Sequence, residues 1–203
     1  MVKVILASKS ARRQEILRTL GVDYSLLACD VDETVEKMSP EETVKTLAGR
    51  KCSAASSLLT EEAESYVVIS ADTVVSSGDE IFGKPKDRED AVRMLSALSG
   101  GMHQVHTGIA VSDGSKMTVE SETTKVFFRE LSTDEISRYV DSGEPMDKAG
   151  AYGIQELGGL FVSEVSGDYF NIVGLPICRL GKILSRDFGI DLLAISAKNK
   201  RLK

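Results

Sequence analysis

Short apolar runs alternate with amphipathic stretches through the first half of the chain, the pattern of an α/β domain. Val4-Ile5-Leu6-Ala7 is apolar at every position and too short for a helix, so it predicts a buried strand. Helical spacing follows over residues 12–20, and residues 24–29 read as a second strand that ends in the acidic residues Asp30, Asp32 and Glu33. Ser39-Pro40-Glu41-Glu42 places a capping serine, a proline at the first helical position and a glutamate three residues after the cap, which predicts a helix running to about Leu59 and carrying Lys51. Residues 66–71 are rich in β-branched side chains and predict a central strand that gives way to a loop at Asp72-Thr73.

A polar turn, Ser76-Ser77-Gly78-Asp79, and the segment Phe82-Gly83-Lys84-Pro85 come next. Asp87 and Asp90 open a helix that reaches Leu98 and stops at Gly100-Gly101. Asp113-Gly114 joins two further strands, 103–112 and 116–129, as a hairpin, and Ser132 with Glu135 caps another helix. Residues 143–155 form a glycine-rich loop, 160–165 a strand and 175–188 a last helix. Nothing in the pattern marks a second domain, so a single domain is expected over residues 1–193, followed by a basic, aperiodic and flexible tail over 194–203.

Composition narrows the class. A chain of 203 residues buries roughly 70% of its unfolded surface without staples. Its longest apolar runs fall short of a bilayer span, and its first residues lead into a strand instead of a cleavable leader, so no membrane is expected and the location expected is cytoplasmic. Cys29, Cys52 and Cys178 are odd in number and lack metal-site spacing, which suits small core residues in a reducing compartment. A net charge of −6 and the absence of tryptophan argue against nucleic acid as a partner.

Against that acidic background the cations after the first strand stand out. Lys9, Arg12 and Arg13 lie within five residues, between and beyond the hydroxyls of Ser8 and Ser10, at a strand-to-helix turn whose backbone N–H groups favour an anion. Asp72 at a strand end suits a proton acceptor or a ligand for a hard cation, and Lys84, set between glycine and proline, suits a phosphate. Neither the Walker A nor the dinucleotide-binding glycine pattern is present, and no serine-nucleophile elbow occurs. His103 and His106 lie three apart in a strand, where they face opposite sides, so they are expected to be structural and not to share a metal.

Taken in order, these segments resemble the Maf family of nucleoside triphosphate pyrophosphatases from Leu6 to about Leu184. The resemblance is carried by Leu6-Ala7-Ser8-Lys9-Ser10-Ala11-Arg12-Arg13-Gln14-Glu15-Ile16-Leu17, Glu33, Leu47-Ala48-Gly49-Arg50-Lys51, Ala71-Asp72-Thr73-Val74-Val75 and Gly83-Lys84-Pro85. It continues in His106-Thr107-Gly108, in Gly143 to Gln155 and in Asn171-Ile172-Val173-Gly174-Leu175-Pro176. It implies an α/β fold with a mixed, twisted central sheet flanked by helices and a cleft, similar to inosine triphosphatases. It also implies cleavage of a nucleoside triphosphate between its α and β phosphates with a divalent metal, Mg2+ or Mn2+, and a homodimer. Asp72 matches the family's proton acceptor. The Asp-Lys-Ala-Gly-Ala-Tyr-Gly-Ile-Gln loop is similar to the branch acting on dTTP and UTP, with specificity positions at Arg12, Thr73 and Gln155. Lys9 departs from the small residue many relatives carry.

The residues themselves add roles to this outline. Ser8, Arg13, Lys51 and Lys84 are suited to neutralise a triphosphate, Glu33 to position metal or water, and Gln155 to read the imide edge of uracil or thymine with one donor and one acceptor. Two alternatives stay open. The same residues would serve a nucleotide-sensing regulator without turnover, and Asp30-Val31-Asp32-Glu33-Thr34 formally matches the motif of haloacid-dehalogenase-like phosphatases, in which Asp30 would accept the phosphate covalently.

Overall fold

The computed structural model describes residues 2–59 and 65–201. In chain order the elements are β1 (Lys3–Leu6), α1 (Ala11–Leu20), β2 (Tyr24–Leu26), α2 (Pro40–Ser56), β3 (Tyr66–Ser77), β4 (Glu80–Phe82) and α3 (Arg88–Leu98). They continue with β5 (Met102–Ser112), β6 (Met117–Phe128), α4 (Thr133–Asp141), β7 (Val162–Ser166), α5 (Tyr169–Val173), α6 (Ile177–Phe188) and α7 (Leu192–Arg201), with three 3-10 turns between α4 and β7. Among the described residues seven strands form one sheet in the order β2-β1-β3-β5-β6-β7, with β4 paired to β3. The sheet is mixed, as expected: β1 runs parallel to β2 and β3, whereas β3–β4 and β6–β7 are antiparallel. No helix among the described residues is long and apolar enough to cross a membrane.

The chain forms two compact units, unit 1 of Met1–Asp72, Thr107–Glu122 and Gly174–Lys203 and unit 2 of Thr73–His106 and Thr123–Val173. Strands β3, β5 and β6 each contribute residues to both.

In unit 1, Val67, Val68, Ile69, Ser70 and Ala71 are buried at successive positions, so both faces of β3 are covered there. One face packs on α2 through a core of Ile5, Ala7, Ala48, Cys52, Ala55, Val68 and Ala110. The helix meets the sheet with a stripe of modest side chains, Val44, Ala48, Cys52 and Ala55, spaced at helical periodicity. Two contacts fix its position: the Ser70 hydroxyl donates to the Ala48 carbonyl at 2.7 Å, and the Cys52 thiol lies 3.8 Å from the Val68 carbonyl. Gly108 completes the seat, because any Cβ there would run into the Val44 carbonyl.

Unit 2 is built around Val75, Phe82, Met94, Leu95, Phe128, Tyr139, Tyr152 and Phe161. His103 is enclosed among them, edge-on to Phe128 and Tyr152, with its Nε2 2.9 Å from the Tyr152 hydroxyl. His106 is also buried, between the hydroxyls of Ser76 at 2.9 Å and Thr123 at 3.0 Å. Both histidines thus sit buried against side-chain hydroxyls.

Several boundaries differ from the sequence reading. Strand β2 stops at Leu26 instead of Cys29, having paired only as far as β1 extends. Strand β3 does not end at Asp72 but continues to Ser77, because β4 pairs with residues 75–77 and the polar Ser76 side chain is satisfied by His106. The last strand begins at Val162, after the 3-10 turn Leu157–Phe161, and α6 begins at Ile177, after Pro176. Residues 192–201 are helical where no periodicity was expected, with the Asp191 carboxylate accepting from the Ala194 N–H at 2.9 Å in the manner of an N-cap; the final two residues lie outside those described. Of the cysteines only Cys52 is buried, and Cys178 is exposed on the first turn of α6.

Two measurements follow from this packing. Gly108→Ala should lift α2 from its seat and cost about 1–3 kcal/mol in urea unfolding. Burial alone lowers the His103 imidazole from 6.5 to about 4. On acidification the unfolded chain therefore takes up this proton first, and stability falls as the pH drops from about 6.5 towards 4. His103 should account for about 2 kcal/mol of stability lost between pH 7 and pH 5, and His103→Gln should remove that part of the slope in urea titrations at the two pH values.

Candidate active site

The turn after β1 is organised by its own hydroxyls. Ser10 caps α1, and the buried Ser8 hydroxyl accepts from the Ser10 N–H at 3.2 Å and from Arg13 Nη1 at 3.2 Å. Arg13 Nε donates to the Gly174 carbonyl at 2.7 Å, so its guanidinium is anchored on both the Ser8 and the Gly174 side. Burial pulls this guanidinium down to about 10, with Asp72 and Glu33 acting in the opposite direction and Arg12 adding to the fall. It remains protonated at neutral pH. Arg13 thus senses Arg12, Glu33 and Asp72 together, which places all four charges in one neighbourhood of unit 1.

The centre of that neighbourhood is Lys51. Three residues after Ala48 on α2, it reaches past Ser70, the carbonyl's donor on β3, to the carboxylate two positions further on. Lys51 Nζ lies 2.5 Å from Asp72 Oδ1 and 2.7 Å from Glu33 Oε1, so one ammonium is shared by two carboxylates. Asp72 is largely buried, whereas the Glu33 side chain is mostly exposed. A residue the sequence reading left without a role explains how Glu33 arrives there. Arg50 donates to the carbonyls of Asp32 at 2.9 Å and Thr34 at 2.7 Å, clamping the backbone on either side of Glu33. Its only sequence signal is its place beside Lys51 in Leu47-Ala48-Gly49-Arg50-Lys51.

Unit 1 therefore assembles Ser8, Arg12, Arg13, Glu33, Lys51 and Asp72, while Thr73, Lys84 and Gln155 belong to unit 2. Thr73 is the residue after Asp72 on β3 and is partly buried. Lys84 is exposed just beyond β4. The preceding Gly83 carbonyl accepts from the Gly150 N–H at 3.0 Å, so the glycine-rich loop docks on the turn that holds Lys84. That docking uses left-handed backbone at Gly150 (φ 70°) and at Ala151 (φ 60°), and a Cβ on Gly150 would stand 2.8 Å from the Val75 side chain. Gln155 is exposed further along the same loop.

Lys9 and Asp30 are engaged elsewhere. They form an exposed pair at 2.7 Å, and the Lys9 hydrogen bond holds the Asp30 carboxyl below its usual range. Asp30 stands four residues beyond the end of β2, so the strand that the dehalogenase motif requires immediately before it is missing.

Two carboxylates on one cation, ringed by an anchored arginine, a serine hydroxyl and a helix N-terminus, make a site that can accept a polyanion and move a proton. Both carboxylates offer hard oxygen donors, which suits Mg2+ or Mn2+ bound by one or two carboxylates together with phosphate oxygens. No group of three or more potential metal-ligating side chains occurs among the described residues.

Comparison with known proteins places this geometry in a lineage. The dTTP/UTP pyrophosphatase of Alkaliphilus oremlandii is 48% identical over 196 residues, covering 95% of this chain and 100% of that protein. Its counterpart in Acetivibrio thermocellus is 49% identical over 199 residues, covering 95% and 98%. Among solved structures, the Staphylococcus aureus Ham1 protein matches 62% of this chain and 71% of its own with a TM-score of 0.42 at 17% identity, too loose a likeness to carry an argument. A family model described as Maf-like protein matches residues 3–187, a span that contains every charged group of the Lys51 neighbourhood, and the chain belongs to the Maf family.

Proposed function

We propose that the chain is a nucleoside triphosphate pyrophosphatase that hydrolyses dTTP and UTP, modified pyrimidine forms included, to the monophosphate and pyrophosphate. The observation that carries this reading is the Lys51 ammonium held between Glu33 and Asp72 beside Arg13. The names of the relatives support it.

In the proposed reaction water attacks the α phosphorus and pyrophosphate departs, while Asp72 takes the proton from the attacking water. Ser8, Arg13, Lys51 and Lys84 hold the phosphates, Glu33 positions the metal or the water, and Arg12, Thr73 and Gln155 select the base. Phosphoryl displacement asks little covalent chemistry of a protein, so positioning and charge compensation carry most of the rate. A bound Mg2+ or Mn2+ would supply charge neutralisation on the phosphates and acidify water; Glu33 and Asp72 are the residues that would hold it. At rest Lys51 is matched by those two carboxylates, so a phosphate that draws the ammonium away leaves Asp72 with an oxygen ready to accept a proton. A cytoplasmic location and a homodimer belong to the same proposal; the first rests on the cysteine usage and the short apolar runs, the second on the family resemblance.

Gln155 can donate to one carbonyl of uracil or thymine and accept from the ring N–H, whereas cytosine presents an acceptor at the ring nitrogen. A regulator without turnover would bind triphosphate and release no product, and a dehalogenase-like phosphatase would release orthophosphate, so resolving the products of UTP separates the three readings.

Asp72→Asn should lower pyrophosphate release about a hundred- to ten-thousand-fold, the usual worth of a general base, with binding of UTP retained. Unchanged turnover would remove Asp72 from the mechanism. Gln155→Ala should flatten the ranking of UTP, dTTP and CTP more than it lowers the rate for any one of them, as read from kcat/KM across the three.

A further inference from the structure

Lys148 is the one buried lysine among the described residues, 6% exposed, and the proposed reaction gives it no role. Its ammonium donates to the Glu144 carbonyl at 2.7 Å and to Asp147 Oδ1 at 2.8 Å, and it faces Glu156 Oε2 at 3.7 Å. A buried ammonium is tolerated only with such partners, and every one of them lies between residues 144 and 156, in the segment that carries Gln155.

The carboxylate of Glu144 closes the loop from the other side. Its Oε1 accepts from the Tyr139 hydroxyl at 2.8 Å and from the Gly158 N–H at 3.1 Å, and its Oε2 accepts from the Leu157 N–H at 3.0 Å. The Tyr139 hydroxyl in turn accepts from the Gly153 N–H at 3.2 Å. Gly153 is also where the lysine stem passes: a Cβ there would lie 2.6 Å from Lys148 Cε. The backbone is thus pinned two residues before Gln155, at Gly153, and two residues after it, at Leu157, with Glu156 drawn towards the same ammonium.

We propose that Lys148, Glu144 and Tyr139 are positioning residues for Gln155, holding the loop on both flanks of the side chain that reads the base. The inference rests on the proposed pyrimidine specificity of Gln155. The three groups touch no substrate; they fix where the Gln155 amide is presented, and a misplacement of about 1 Å at such a group costs on the order of a hundredfold.

The test measures kcat and KM for UTP and CTP in the wild type, in Gln155→Ala, in Lys148→Met, in Tyr139→Phe and in Lys148→Met combined with Gln155→Ala. Lys148→Met removes the charge while keeping the stem over Gly153, and it should lower the UTP-to-CTP ratio of kcat/KM about tenfold or more, mainly through a raised KM for UTP. Tyr139→Phe should shift the ratio in the same direction. In the double variant Lys148→Met should add no further loss of discrimination, since the side chain it positions is already gone. A parallel fall for both nucleotides, or discrimination losses that add in the double variant, overturns the inference. Should Lys148→Met fail to fold by circular dichroism, the ratio in Tyr139→Phe decides alone. A wild type without preference for UTP, or Gln155→Ala without effect on it, defeats the functional reading and this inference together. A normal wild type and a flattened Gln155→Ala beside unaltered Lys148→Met and Tyr139→Phe defeat only the inference.

Discussion

The seat of α2 on β3 is the constraint from which the candidate chemistry follows. A helix lined with Val44, Ala48, Cys52 and Ala55 lies close to the sheet, and close approach converts a hydrophobic contact into a positional one. The Ser70 bond to the Ala48 carbonyl then sets the rotation and register of the helix, so that the next outward position, Lys51, coincides with the next same-face position of the strand, Asp72. A slip of one residue in either element would separate the pair. Gly108 serves the same end by leaving room for the first turns of the helix.

Charge in unit 1 is arranged in pairs that serve different purposes. The ladder in which Arg179 and Arg186 meet Glu120, Glu122 and Asp187 joins α6 to β6, and its exposed members contribute little stability individually. In the more enclosed Lys51 cluster one ammonium lies within ion-pair distance of two carboxylates. Arg13 is also held by a carbonyl and a hydroxyl, while Asp72 and Glu33 act on its charge.

Much of this was legible in the sequence, and the parts that were not share a cause. Both capping boxes, at Ser39 and Ser132, are present with both of their hydrogen bonds, because a cap is decided within four residues. The ordered motifs gave the family and proposed site residues, of which Ser8, Arg13, Glu33, Lys51 and Asp72 meet in unit 1. Strand ends were less legible: β3 runs five residues past Asp72 because a partner strand pairs with its backbone and a buried histidine meets the Ser76 hydroxyl, and neither is visible locally. The clamps escaped notice for the same reason. Arg50, Tyr139 and Lys148 act through backbone groups of segments whose positions only the fold defines. The Asp191 cap was a local signal, hidden by the basic composition that follows it.

The terminal helix has a consequence for how this chain can be handled. Asn199 donates to the Gly21 carbonyl at 2.8 Å, at the left-handed residue that closes α1, and so ties α7 to the far end of the helix whose first turn bears Arg12 and Arg13. Asn199 lies beyond the span 3–187 matched by the family model, whereas Gly21 lies within it. Tags, linkers or surface attachments placed at the carboxyl terminus therefore pull on a structural rivet, whereas an attachment in the exposed Asp113–Lys116 hairpin turn loads neither end of α1.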